Sequence, residues 1–174
     1  MSEAGIPPMA VMLKSERLIF REWCDEDLPA FHRICSDARV MEFVGHGQPW
    51  SLETTEHFIS RATGSLQEFG FCQWPLIHKA DAVLNGYCGF VQTADGPEIG
   101  WRLAPDYWGQ GLATEAARMA LEHGFQELGF QRVIATVQVA NAASIRVIEK
   151  LGMQHESSFQ RNGREVLVYQ TSVT

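Results

Sequence analysis

Two glycines flank Gln110 in the stretch DYWGQGLATEAARMALEHGF, residues 106–125, and an alanine-rich helical pattern begins directly behind them. Glycine lets a backbone turn its N–H groups inward and lets a ligand approach closely. The first amides of a helix have no intrahelical acceptor and carry a partial positive charge. Together they form an anion site made of backbone, so the amides from Gly109 to Thr114 are candidates to cradle a pyrophosphate without a lysine. An ordinary tight turn is the plainer reading of the same residues. A P-loop is excluded, because it needs Gly-Lys-[Ser/Thr] and the chain contains no Gly-Lys pair. A dinucleotide fingerprint is also excluded. It would want Gly or Ala where Thr114 stands and an acidic residue at the end of the next strand, where RVIATVQVA has none.

Composition bounds what such a site serves. At 174 residues the chain is most simply one domain with a sizeable core, and 45% apolar with 20% charged residues is ordinary for a globular protein. A net charge of -7 argues against a nucleic-acid surface and suits a cationic or amine-bearing ligand. Cys24, Cys35, Cys72 and Cys88 show no C-x-x-C or Cys/His spacing, so no metal is expected. They read as unpaired thiols of a reducing cytosol. Residues 1–11 lack the basic and apolar regions of a signal peptide, and nowhere do the roughly 20 apolar residues of a membrane span occur. A cytoplasmic location without a membrane partner is the expectation.

The elements that position the glycine turn follow from periodicity. Residues 1–13, with Gly5 and two prolines, read as a flexible lead-in before a single domain over 14–174. RLIFREW (Arg17–Trp23) alternates as a strand, and DEDLPAFHRICSD follows as a helix with acidic residues in its first turn. A second helix spans Leu52–Phe69 behind Ser51. FCQWPLIHK and LNGYCGFVQTA are strands joined by a turn at Lys79–Asp81, and EIGWRLAP (Glu98–Pro105) is a third. Leu112, Ala113, Ala116, Ala117, Ala120, Leu121, Gly124 and Leu128 recur at helical spacing and make a face small enough to lie close to a sheet. RVIATVQV (Arg132–Val139) is a buried-type strand. NAASIRVIEKLGM is a short helix with Gly152 as its C-terminal cap. A hairpin turning at Asn162-Gly163 closes the chain. The predicted architecture is α/β (α+β), mainly antiparallel, with helices on both faces.

Three motifs stand in fixed order: EIGWRL (Glu98–Leu103), YWGQGLATEA (Tyr107–Ala116), and NAAS…EKLGM (Asn141–Met153). Together they resemble the GNAT superfamily of N-acetyltransferases, and within it the RimJ/RimL-like ribosomal-protein acetyltransferases. The resemblance runs from SERLIFREW almost to VLVYQ. It implies a mixed, mainly antiparallel twisted sheet of about six or seven strands whose EIGWRL and VIATVQV strands are parallel and splay apart. It further implies that the pantetheine arm of acetyl-CoA enters that gap against Trp101, Arg102 and Leu103, with Asn141 also on the arm. The pyrophosphate would then rest on Trp108, Gly109, Gln110, Gly111, Leu112, Ala113 and Thr114. The wider superfamily has Gln or Arg where Trp108 stands, which removes one side-chain contact; an aromatic there is familiar in the RimJ/RimL-like branch.

Acetyl transfer from a thioester to an amine needs a neutral amine, although ammonium groups have pKa values of about 8 to 10. It also needs a donor for the developing oxyanion, and it benefits from a proton for a thiolate that leaves tolerably unaided. Glu98, at the start of the strand bordering the gap, is the candidate base, directly or through a water. A solvated strand-end charge is its plainer reading. Ser144 is the candidate acid, because the resemblance places such a serine near the coenzyme sulfur; a helix-start serine capping backbone amides is the alternative. Asn141 is an N-cap by the same logic. Other GNAT branches use a tyrosine where Ile148 stands. Phe43, Trp50 and Trp74 are candidates for an acceptor wall, though large aromatics more often belong to the core. His46 and His123 read as loop and helix-surface histidines, and Cys88 as packing.

The implied activity is N-acetyl transfer to a primary amine, a protein N-terminus or a small molecule, by direct transfer in a ternary complex. The alternative is a non-catalytic acyl-CoA-binding module on the same fold. The implied partners are acetyl-CoA and the amine acceptor, and a homodimer is compatible with the resemblance.

Overall fold

The computed structural model describes residues 10–173. Eight strands are present: β1 (Val11–Lys14), β2 (Leu18–Arg21), β3 (Gln73–His78), β4 (Val83–Thr93), β5 (Gly96–Leu103), β6 (Arg132–Gln138), β7 (Gln154–Arg161) and β8 (Arg164–Ser172). The α-helices are α1 (Asp27–Cys35), α2 (Ala38–Met41), α3 (Leu52–Phe69), α4 (Leu112–Gln126) and α5 (Ala142–Lys150). The strands form one sheet in the order β1-β2-β3-β4-β5-β6-β8-β7. Every neighbouring pair is antiparallel except β5 and β6, which run parallel. This is the mixed, mainly antiparallel α/β fold expected.

The strand number needs a correction. Residues 1–9 of the expected lead-in lie outside the described residues, but Val11–Lys14 pairs with β2, with Val11 opposite Arg21 and Lys14 opposite Ile19. Met12 and Leu13 pack against the core. Four residues are too short a run to signal a strand in isolation; the β2 edge and the burial behind it supply what local propensity does not. Among the described residues the sheet therefore has eight strands, one more than the upper end of the about six or seven expected.

Strand alternation divides the interior into two layers. Trp74 and Phe90 face α4, where Trp74 meets His123 edge-on at 5.9 Å and Phe90 meets Phe130, just beyond the helix, at 5.0 Å. On the opposite face Tyr87 lies 6.0 Å from Phe31 of α1 and 5.0 Å from Phe58 of α3. Each large side chain buried in this way contributes on the order of 1.5–3 kcal/mol before conformational entropy is charged against it.

The small face of α4 does what its composition suggests. Ala116, Ala117 and Ala120 are fully buried. A Cβ on Gly124 would come within 2.8 Å of Phe130 and 3.1 Å of Phe90, so only glycine seats the helix at this depth. Local signals also hold. Ser51 accepts from the Thr54 amide at the start of α3, and Asn162 and Gly163 both have positive φ (52° and 72°), the primed turn a tight hairpin needs.

Candidate active site

β5 pairs with β4 along its whole length but shares one register pair with β6, Glu98 with Ile134. Beyond that bridge the two strands diverge. A cleft of about 250 Å³ opens along the divergence, with Glu98, Gly100 and Trp101 on one side and Thr136, Asn141 and Ser144 on the other. The splayed pair implied by the motif order is thus present.

At the C-terminal end of β5 a 3-10 turn, Pro105–Tyr107, leads through Gly109 (φ 72°) and Gly111 (φ 77°) into α4. Gly111 is the helix N-cap in the left-handed conformation, and no side chain caps the first turn. The amides of Leu112, Ala113 and Thr114 therefore lack intrahelical acceptors. A Cβ at Gly109 would meet nothing within 4 Å, so the glycine is there for backbone direction rather than packing. Leu112 and Thr114 are buried, whereas Gly109, Gln110 and Gly111 are exposed at the head of the helix. Trp108 stands half-exposed, and its indole N–H donates to the Leu103 carbonyl at 2.9 Å, which ties the turn to the end of β5.

The turn is also held from behind. The Glu115 carboxylate accepts from the Ser15 hydroxyl, the Arg17 amide and the Arg17 guanidinium, each at 2.7 Å. Arg17 Nη1 donates to the Gln110 carbonyl at 2.9 Å. The β1–β2 connection thus braces the entrance of α4. Burial alone would raise the Glu115 pKa, but these donors hold it below the ordinary carboxylate value.

Glu98 is half-buried, and its Oε1 accepts a hydrogen bond from Thr136 Oγ1 across the single β5–β6 bridge. Sequence reasoning had not singled out Thr136. Its signal was the alternation in RVIATVQV, where Thr136 and Gln138 put polar groups on one face of an otherwise apolar strand. Asn141 Oδ1 accepts from the Ser144 amide at 3.2 Å, so Asn141 is the N-cap of α5. Capping therefore does not occupy Ser144. Among the described residues no hydrogen bond engages its hydroxyl, and it lines the cleft. Ile148, 1% exposed, lines the same cleft and offers no phenol.

Other residues divide between cleft and core. Phe43 lines the cleft, whereas Trp74 is fully buried in the α4 layer. Trp50 stacks on Arg102, whose guanidinium lies 4.4 Å from the Trp50 ring centre on the sheet face away from α4. The loop of residues 42–47 is clamped by Arg164, which donates to the carbonyls of Glu42 and His46 and to Gln138 Oε1. Only the backbone of His46 is engaged there; its side chain is exposed. His123 is half-buried against Trp74, and burial lowers its pKa. All four cysteines are unpaired, and burial pushes the Cys88 thiol far above its ordinary range, which suits packing rather than nucleophilic work.

A mixed sheet splayed at one parallel pair, with an uncapped glycine-led helix at the end of the gap, defines an acyltransferase of the coenzyme-binding kind. The chain belongs to the GNAT acetyltransferases: the acetyltransferase (GNAT) domain family matches residues 17–154. It is 33% identical over 151 residues to the uncharacterized N-acetyltransferase YnaD of Bacillus subtilis, covering 86% of each chain. It superposes on a GNAT-family acetyltransferase from Bacillus anthracis with a TM-score of 0.80 and 31% identity, over 91% of this chain and 96% of that one. The fold is also that of RimL, the ribosomal L7/L12 alpha-N-protein acetyltransferase solved in complex with coenzyme A. The TM-score there is 0.79 at 18% identity, over 94% of this chain and 98% of the other. Among the described residues no helix is long and apolar enough to cross a membrane.

Proposed function

We propose that the chain transfers the acetyl group of acetyl-CoA to a primary amine by direct attack in a ternary complex. The observation that carries this reading is that Glu98 and Ser144 line opposite sides of one cleft, between strands that leave each other after a single bridge. Acetyl-CoA supplies the activated thioester when bound. The chain's residues fit it: uncapped amides at Gly109–Thr114 suit its pyrophosphate, and the open β5 backbone at Trp101–Leu103 with the Asn141 amide suits its arm. Glu98, oriented by Thr136, takes the proton from the acceptor amine, directly or through a water. The free Ser144 hydroxyl donates to the departing sulfur as the acid, its own proton being replaced from water in the open cleft.

The acceptor is a protein N-terminus or a small amine, reached from the side of the cleft bounded by Phe43 and the Arg164-clamped loop. Trp108 at the head of the glycine turn supports a RimJ/RimL-like placement, and four free thiols support a cytoplasmic one. The test is thiol release from acetyl-CoA against N-terminal peptides, amino acids, polyamines and aminoglycosides. Turnover with one class names the acceptor. Coenzyme binding without turnover across the panel overturns the reading in favour of a non-catalytic acyl-CoA-binding module.

A further inference from the structure

Two arginines line the cleft and this chemistry leaves both without work: Arg161 is exposed and lies over the Phe159 ring, whereas Arg102 is buried. Arg102 is 7% exposed, yet it lines the cleft together with Glu98 and Tyr87. Alternation along β5 puts Glu98, Gly100 and Arg102 on the face covered by α1 and α3, and leaves Trp101 and Leu103 toward α4. The Arg102 guanidinium lies 4.4 Å from the ring centre of Trp50, 5.2 Å from that of Tyr87 and 6.0 Å from that of Phe58.

Its polar partners are few. Nη1 donates to Cys35 Sγ at 3.2 Å, and Nε is buried with no hydrogen-bond partner among the described residues. Among the described residues no carboxylate pairs with it. Cys35 is not a hidden counter-ion, because burial raises its thiol pKa despite the neighbouring guanidinium. The aromatic rings attract the cation through their faces, but they accept none of its in-plane hydrogen bonds. A buried guanidinium with these partners is suited to receive a planar anion, and a carboxylate matches its fork geometry. The phosphate cradle does not meet that need, since α4 covers the opposite face of the sheet.

Resting on the acetyl-transfer reading, we propose that Arg102 receives a carboxylate of the acceptor, so that the acceptor is a small amino-acid-type molecule bearing its amine and its acid on one skeleton. Glu98 and Arg102 stand four residues apart on one face, about 13 Å between Cα atoms along the strand. Both residues line the same cleft, with the proposed proton acceptor at one end and the proposed anion receptor at the other. The net negative charge of the chain, which suits a cationic ligand, is then offset locally by a buried positive site.

The experiment is a calorimetric titration of the coenzyme A complex with N-acetyl amino acids and with the corresponding carboxamides, varying the amine-to-carboxyl spacing from α- to δ-amino acids. Dipeptides N-acetylated at an N-terminal Asp or Glu and amidated at the C-terminus test whether a side-chain carboxylate serves equally. Wild-type protein binds acids at least about tenfold more tightly than amides. That preference disappears in Arg102→Met and is reduced in Arg102→Lys, which keeps the charge but loses the fork. Coenzyme binding by each variant reports that it is folded. Equal affinity of wild type for acids and amides, failure of every acid to bind, or a preference surviving in Arg102→Met overturns the proposal. Thiol release with the free amines is read in parallel. Acid selectivity in binding without thiol release overturns the transfer reading and leaves the role of Arg102 standing; thiol release indifferent to the carboxylate does the reverse.

Discussion

Thr136 Oγ1 on β6 donates a hydrogen bond to Oε1 of Glu98, the β5 residue that forms the single register pair with β6. The hydroxyl fixes the carboxylate rotamer at the mouth of the cleft and leaves its other oxygen without a hydrogen-bond partner among the described residues. Glu98→Gln keeps the shape and removes the proposed base, so kcat should fall by about 10²–10⁴. Thr136→Val removes only the orienting bond and should lower kcat by roughly tenfold, an amount in keeping with one hydrogen bond. Steady-state kinetics with the acceptor at saturation checks both. Full activity of Glu98→Gln would remove Glu98 from the mechanism.

Ser144 and Asn141 separate chemistry from stability. Ser144→Ala should lower turnover while coenzyme affinity stays roughly intact, because its hydroxyl is not spent on capping. Asn141→Ala should cost about 1 kcal/mol of stability through loss of the α5 cap, and should weaken coenzyme binding as well. Thermal melts with coenzyme titrations distinguish the two. Unchanged turnover in Ser144→Ala would leave the thiolate departing unaided.

Gly111 tests the cradle. Both Gly111→Ala and Gly111→Asp force a side chain into φ 77°, a strain of about 1 kcal/mol. Only the aspartate adds a negative charge where the pyrophosphate is assigned. Coenzyme affinity should fall at least about tenfold further in Gly111→Asp than in Gly111→Ala. Equal affinities would place the phosphates elsewhere.

Glu115 gives a pH dependence. Its folded pKa lies below the ordinary 4.5, since the Ser15 and Arg17 donors outweigh burial. Between the two values the unfolded chain binds more protons than the folded one. The stabilisation is therefore complete above about pH 4.5 and drains away as pH falls through the folded value. Glu115→Gln should cost roughly 1–2 kcal/mol at pH 7 and lose less stability than wild type on acidification. Urea unfolding at neutral and acidic pH reads the difference; parallel pH curves would count against the brace.

The local features were legible because their physics is local. A capping serine before α3, an Asn-Gly pair before β8 and alternating or helical periodicity each act within a few residues of backbone. The same holds for the glycine turn, whose positive φ angles and uncapped amides follow from residues 105–114 alone. The strand β1 was not legible, since its four residues form a strand only against an edge that β2 presents.

The motifs in their order were enough to indicate the family and, through the resemblance, the splayed pair, and the glycine turn was enough to indicate the helix entrance proposed as the anion cradle. Tertiary structure alone decided which polar groups meet. Thr136 reaches Glu98 from another strand, Arg17 reaches Glu115 from 98 positions away, and Trp50 and Cys35 come from separate elements to enclose Arg102. No sequence period encodes those pairings, because they depend on how deeply a helix or loop seats on the sheet. A charged residue in an apolar strand shows only that something must meet it; the folded chain decides that Arg102 meets aromatic faces and a neutral thiol.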